Sequence, residues 1–164
     1  MRILLDANAV LKRHVSEHGT DVIHEVYRAA DVGRIELAYS LWTPGECLGV
    51  LDRLDRQGLL PPRGLGKARR ALLGESARLV RLGVLTIAPL GARLMRTAWS
   101  LVLRHHICQA DAVQVATGLA LEVDLVLTSD ALVGRAAAAE GLRVLDPERD
   151  GSAIAGSLAA WAEG

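Results

Sequence analysis

The chain is 164 residues long, carries 19 Lys and Arg against 19 Asp and Glu, and is 51% hydrophobic. That length suits one domain with a sizeable core, and that apolar share excludes a disordered chain. The formal net charge of zero provides no global field to steer nucleic acid, so any such contact must use a local basic patch.

Short apolar runs alternate with helical patterns along the chain, which predicts an α/β architecture. Strands are predicted at 2–5, 35–39, 84–88, 125–128 and 143–145, each brief and apolar, as strands covered on both faces should be. Helices are predicted near 8–17, 20–32, 44–57, 66–82, 91–105, 111–122 and 131–140; within 91–105, Leu94, Ala98, Leu101 and Val102 fall at helical spacing. Gly58-Leu-Leu-Pro-Pro-Arg-Gly64 interrupts the pattern and reads as the joint of a helical arm over about 44–82, not as a domain boundary. The expected organisation is one domain over 1–150, followed by a tail at 151–164, rich in Ala, Gly and Ser, that forms a loosely docked helix. No internal repeat is present.

The core must be aliphatic, since the chain has no Phe, three Trp and two Tyr. Cys47 and Cys108 are its only cysteines and lack CxxC spacing, which fits a reducing cytosol and leaves a single disulfide open. No uncharged apolar stretch reaches the ~18 residues of a membrane span, and the opening Met-Arg-Ile-Leu-Leu-Asp is unlike a signal peptide. The expectation is a cytoplasmic protein with no membrane partner.

Four acids carry the chemical signal. Asp6 follows Ile-Leu-Leu, Asp130 follows Leu-Val-Leu-Thr-Ser, Asp111 opens an apolar helical run and Glu46 lies in the arm. In a parallel sheet, residues just past the strand carboxyl ends converge on one edge. Carboxylates gathered there repel unless a divalent cation neutralises them, and oxygen-only ligands suit Mg²⁺ or Mn²⁺. Each acid also has a structural reading. Asp6, Asp111 and Asp130 stand where helix N-caps are favoured, and Thr43-Pro44-Gly45-Glu46 has the form of a capping box. Capping alone does not select Asp over Ser, Thr or Asn so consistently, and a capping carboxylate can still coordinate a metal.

Leu5-Asp6-Ala7-Asn8-Ala9-Val10-Leu11-Lys12-Arg13 resembles the opening of a PIN-domain protein. Ser40 followed by Glu46 is similar to that family's second signature, and Gln109-Ala110-Asp111-Ala112-Val113-Gln114-Val115-Ala116-Thr117 to its third. Leu127-Thr128-Ser129-Asp130, with Ala136, Ala137, Gly141, Leu142, Asp146 and Pro147, resembles the fourth. The set covers nearly the whole chain in order, with the flavour of VapC-type toxin ribonucleases. One departure is Ala7, where the family often has Thr or Ser.

The resemblance implies a PIN-like three-layer sandwich with a five-stranded parallel sheet of order 3-2-1-4-5. It implies a Mg²⁺- or Mn²⁺-dependent ribonuclease that hydrolyses RNA phosphodiesters, with Asp6, Glu46, Asp111 and Asp130 catalytic. Asp6, Asp111 and Asp130 would be the metal ligands, Glu46 would orient the attacking water, and Asn8, Ser40 and Thr128 would support them. It also implies a cognate antitoxin and a homodimer.

Arg63, Lys67, Arg69 and Arg70, with Arg78 and Arg81, form a basic run that would guide an RNA backbone, or else a solvated helix face. Trp42 would stack a base or fill core. His14 and His18 have helical metal-pair spacing without a third ligand, while His105 and His106 read as surface residues that favour a helix end. A haloacid-dehalogenase-like phosphohydrolase is a second reading of Asp6-Ala7-Asn8, but that chemistry wants an Asp at position 8. A non-catalytic interaction module is the third.

Overall fold

A computed structural model describes residues 1–161; the end of the predicted tail, 162–164, lies outside the described residues. Five parallel strands, β1 (Arg2–Leu5), β2 (Glu36–Ser40), β3 (Leu85–Ala88), β4 (Leu125–Leu127) and β5 (Val144–Leu145), form one sheet in the order β3-β2-β1-β4-β5. This is the order that the family resemblance implies. Ile3 pairs with Leu37 on one side and Leu125 on the other, so β1 is central.

The strands are short apolar runs because helices cover both faces. Ile3 and Leu5 pack into a cluster with α1 (Ala7–Leu11), α2 (Thr20–Asp31), α3 (Thr43–Arg56), α4 (Gly64–Arg81) and α8 (Gly151–Ala160). Leu4, Ala38 and Val126 point the opposite way. On that side lie α5 (Ala92–His105), α6 (Gln109–Ala120) and α7 (Ala131–Ala139), which share a cluster built on Leu101, Val113, Ala116 and Val133. Alternate side chains on one strand thus belong to different layers. Each fully buried Leu or Ile contributes about 1.5–3 kcal/mol relative to exposure.

Three local expectations differ from what forms. The first helix ends at Leu11 instead of continuing to 17, because Arg13, His14 and Val15 close into turns on Val10 and Leu11 carbonyls. Glu46 does not form a capping box. Trp42 at the N-cap has helical φ and ψ with no side-chain cap, and the Thr43 hydroxyl turns to α6 instead. Asp111 is not the cap of α6; Cys108 is, its Sγ accepting from the Asp111 N–H at 3.5 Å. Cys47 and Cys108 are free thiols.

A clasp joins the two ends of the chain. Lys12, almost wholly buried, donates to Glu148 at 2.6 Å and Glu17 at 3.1 Å, and the His18 ring meets the Glu148 carbonyl. Burial works to lower the Lys12 pKa, but Glu148 and Glu17 overcome it and the ammonium is held above its ordinary range. The tail helix α8 packs on α2 through Ile154, and its Ser157 accepts from Arg143. His14 faces Glu75 instead of His18. No described helix is long and apolar enough to cross a membrane.

Candidate active site

Asp6 begins the site. It directly follows β1, and its extended φ and ψ make it the N-cap of α1. Oδ1 accepts from the Ala7 N–H at 2.7 Å, and Oδ2 accepts from Asn8 Nδ2 and Thr128 Oγ1, each at 2.7 Å. Thr128 lies just past β4, so the parallel pairing of β1 and β4 brings these residues together across the sequence. Asn8 completes a bridge, its Oδ1 accepting from the Ser129 N–H at 2.9 Å. Ser129 donates in turn to Asp146 Oδ1.

Asp130 caps α7 through Oδ1, which accepts from the Leu132 and Val133 N–H groups. Its own N–H donates to Thr128 Oγ1. Asp111 stands in the first turn of α6, partly exposed. Glu46 lies in the first turn of α3, and its Oε2 accepts from Gln114 Nε2 at 2.8 Å.

The four acids share one electrostatic environment. Asp6 is 6% exposed, and burial raises its pKa above 3.8. Thr128 and Ala7 oppose that shift, while Asp130 and Asp111 add to it. The Glu46 pKa is raised first by burial, then by Asp6 and Asp111, against hydrogen bonds from Gln114 and Trp42. The buried Cys47 thiol beside them is pushed up to about 12 by burial, with Glu46 and Asp6 adding to it, so it stays protonated at neutral pH. None of the four acids has a Lys, Arg or His partner within 4.0 Å among the described residues.

A divalent cation fits this donor set in kind. The donors are all oxygen, mutually repulsive and, among the described residues, paired with no cationic side chain. The carboxylates are nevertheless not drawn together: among the described residues no group of three or more His, Cys, Asp or Glu side chains stands close enough to hold an ion. Both Asp6 oxygens are turned to hydrogen-bond donors. Binding an ion would require the carboxylates to turn from these partners toward one another.

Of the supporting residues named from sequence, Asn8 and Thr128 touch Asp6. Ser40 is fully buried and meets the Thr43 hydroxyl at 3.1 Å instead of touching an acid. Sequence reasoning gave Thr43 only a capping role, which does not form, and gave Gln114 none. The available signal was Gln114 itself, a polar residue inside the otherwise apolar run Ala112-Val113-Gln114-Val115-Ala116. Trp42 is 45% exposed beside Glu46 and is not core. On the arm, Arg63, Lys67, Arg69 and Arg70 are exposed around the start of α4, whereas Arg78 is tied to Asp31 and Glu75. His105 bonds Glu140 at 2.7 Å, and His106 takes a left-handed conformation that ends α5.

The chain has the PIN-domain fold, a parallel 3-2-1-4-5 sheet with acids at its carboxyl edge. Three solved structures share it. FitAcB from Neisseria gonorrhoeae has a TM-score of 0.63 at 19% identity, covering 90% of this chain and 99% of that one. VapBC2 from Rickettsia felis, bound to a DNA fragment from their promoter, has a TM-score of 0.61 at 13% identity, covering 89% and 98%. VapC20 from Mycobacterium tuberculosis, a sarcin–ricin loop cleaving toxin, has a TM-score of 0.59 at 18% identity, covering 84% and 94%. No family model matches the chain, and neither does any curated protein sequence.

Proposed function

We propose that this protein is a Mg²⁺- or Mn²⁺-dependent endoribonuclease, the toxin of a toxin–antitoxin pair, that hydrolyses RNA phosphodiesters at Asp6, Glu46, Asp111 and Asp130. The observation that carries the reading is a buried carboxylate, Asp6, grouped electrostatically with three others at the sheet's carboxyl edge with no cationic side chain within 4.0 Å among the described residues. A fold has no obvious structural need for such repulsion, and an ion-binding phosphodiesterase does. The VapC20 fold neighbour, itself described as cleaving the sarcin–ricin loop, supports RNA as the substrate class.

Asp6, Asp111 and Asp130 would hold the cation, which supplies charge neutralisation for the phosphate and acidifies water at the site. Thr128 and Asn8 fix the Asp6 carboxylate through its Oδ2. Glu46 would accept a hydrogen bond from the attacking water and orient it. Trp42, exposed beside Glu46, offers a ring for a base. Arg69 and Arg70 would meet the RNA backbone from the arm. An antitoxin segment and a second copy of the chain are the expected partners in a cytoplasmic setting.

The test is cleavage of a panel of structured RNAs with Mg²⁺, with Mn²⁺ and with chelator, beside the Asp6→Asn protein. Metal-dependent cutting lost in the variant is the expected result. A folded protein that neither binds metal nor cuts RNA would favour an interaction module. Replacing Arg69 and Arg70 together by Ala should weaken RNA binding and make the slope of log K against log salt shallower by about 1–2, since each phosphate contact contributes roughly 0.7 on single strands. Metal affinity should not change. An unaltered salt slope would remove the arm from the RNA path.

A further inference from the structure

Gln114 is almost completely buried, at 1% exposure, in a helix whose residues from Ala112 to Gly118 are all buried. An unpaired buried amide costs about 1–3 kcal/mol, and a Leu or Met would fill the same space without that liability. Every polar atom of this side chain is used. Nε2 donates to Glu46 Oε2 at 2.8 Å and to Thr43 Oγ1 at 3.1 Å, and Oε1 accepts from the Thr43 hydroxyl at 3.2 Å.

The amide cannot be turned over, because Oε1 would then face the Glu46 carboxylate, acceptor against acceptor. The network behind it is also ordered. Ser40 Oγ accepts from the Thr43 N–H at 3.3 Å and lies 3.1 Å from Thr43 Oγ1. Ser40 can therefore donate to Thr43, which leaves the Thr43 hydrogen for Gln114. The chain of contacts runs from the end of β2 through the start of α3 into α6, and returns to α3 at Glu46.

We propose that Gln114 is a positioning residue that aims the Glu46 carboxylate at the acidic edge, held in turn by the buried Thr43–Ser40 pair. Glu46 sits on a helix surface at intermediate burial and would otherwise sample several rotamers, a freedom of up to about 1.5–2 kcal/mol for a Glu side chain. One amide hydrogen anchored from the buried side removes that freedom. The catalytic part of this inference rests on the ribonuclease reading; the tether itself is a property of the metal-free protein.

The experiment combines Gln114→Met, which keeps volume and loses the hydrogen bonds, with Glu46→Gln in a double-mutant cycle. Removing an outer-shell partner commonly costs 10–100-fold, so Gln114→Met should lower kcat by about 10–100-fold with KM little changed. In the Glu46→Gln background the same substitution should cost less than about twofold. Equal losses in both backgrounds would make Gln114 a packing residue and overturn the proposal. A crystal structure of metal-free Gln114→Met should show the Glu46 side chain in more than one rotamer; a single unchanged rotamer overturns it whatever the activity. If wild type cuts no RNA, the ribonuclease reading fails and the Glu46 rotamers alone decide the tether. Should Gln114→Met not fold, Thr43→Val removes the anchoring hydroxyl and should give a smaller loss that also disappears with Glu46→Gln.

Discussion

Asp6→Asn should abolish metal-dependent RNA cleavage, by at least about a hundredfold, while leaving the metal-free protein about as stable as wild type or more so at pH 7. Two opposing terms decide the stability. The Asp6 carboxylate accepts three hydrogen bonds, from Ala7, Asn8 and Thr128, and hydrogen bonds to a charged group contribute about 1.5–3 kcal/mol each. Burial and the neighbouring Asp130 and Asp111 nevertheless raise its pKa, so the site as a whole disfavours the charged form. A neutral amide avoids the dominant cost, although its NH2 cannot accept, so the bonds from Asn8 and Thr128 to that atom must be given up or reversed.

The pH dependence follows with a definite sign. An acid whose folded pKa lies above its unfolded value binds protons more tightly in the native state, so stability rises as pH falls into the window above 3.8. Wild type should therefore gain on Asp6→Asn as pH is lowered from 7 toward 4 in chelator. Taking the difference between the two proteins cancels acids common to both, such as Glu148, whose pKa the Lys12 contact lowers. Thermal melts that show the variant strongly destabilised at pH 7, with wild type losing that advantage on acidification, would make Asp6 a helix cap first and a site residue second. Asp111→Asn should also abolish cutting, and it removes no hydrogen bond of the Asp111 side chain found among the described residues.

Gly19→Ala should be strongly destabilising, at about 2–4 kcal/mol. Gly19 has φ +82 at the start of α2, and a Cβ there would stand 2.8 Å from the Pro147 carbonyl oxygen and 2.9 Å from its carbon. Both are backbone atoms, so no side chain can swing aside. For a chain of this size the melting temperature should fall by roughly 5–15 °C. Gly33→Ala is the control: its φ is +72 with nothing within 4 Å, so only the left-handed penalty of about 1–2 kcal/mol applies. Equal losses at both positions would mean that the close approach to Pro147 is relieved by loop movement. The contact matters to the site because Asp146, next in the chain to Pro147, accepts from Ser129, and Ser129 is bonded to Asn8.

The sheet was legible in the sequence because its strands are buried on both faces and therefore read as short apolar runs, with boundaries within a residue or so of those that form. Helices with long apolar stripes, such as α2 and α5, were equally plain. The early end of α1 was not, because the sequence from Lys12 to Glu17 carries no Pro or Gly. Its turns are instead fixed by Lys12 reaching Glu148 and by Arg13 reaching Glu75, partners far along the chain. The capping box at Thr43 failed for the same reason. A local motif offers its hydroxyl to its own helix, but Ser40 and Gln114 offered better buried partners.

By itself, the sequence supplied the acids of the candidate site, since Asp6 and Asp130 follow apolar strand runs and that pattern is written in residue type and spacing. It placed Asp6 and Asp130 beside each other only through the strand order implied by resemblance. Tertiary structure decided which side chain supports which acid: Thr128 holds Asp6, Gln114 holds Glu46, and Cys108 rather than Asp111 caps α6. Side-chain hydrogen bonds span only about 3 Å, whereas their partners here lie 122 residues apart for Thr128 and Asp6, and 68 for Gln114 and Glu46. Periodicity and motif spacing describe neighbours along the chain, so contacts of that range became visible only once packing had fixed which helix faces which strand.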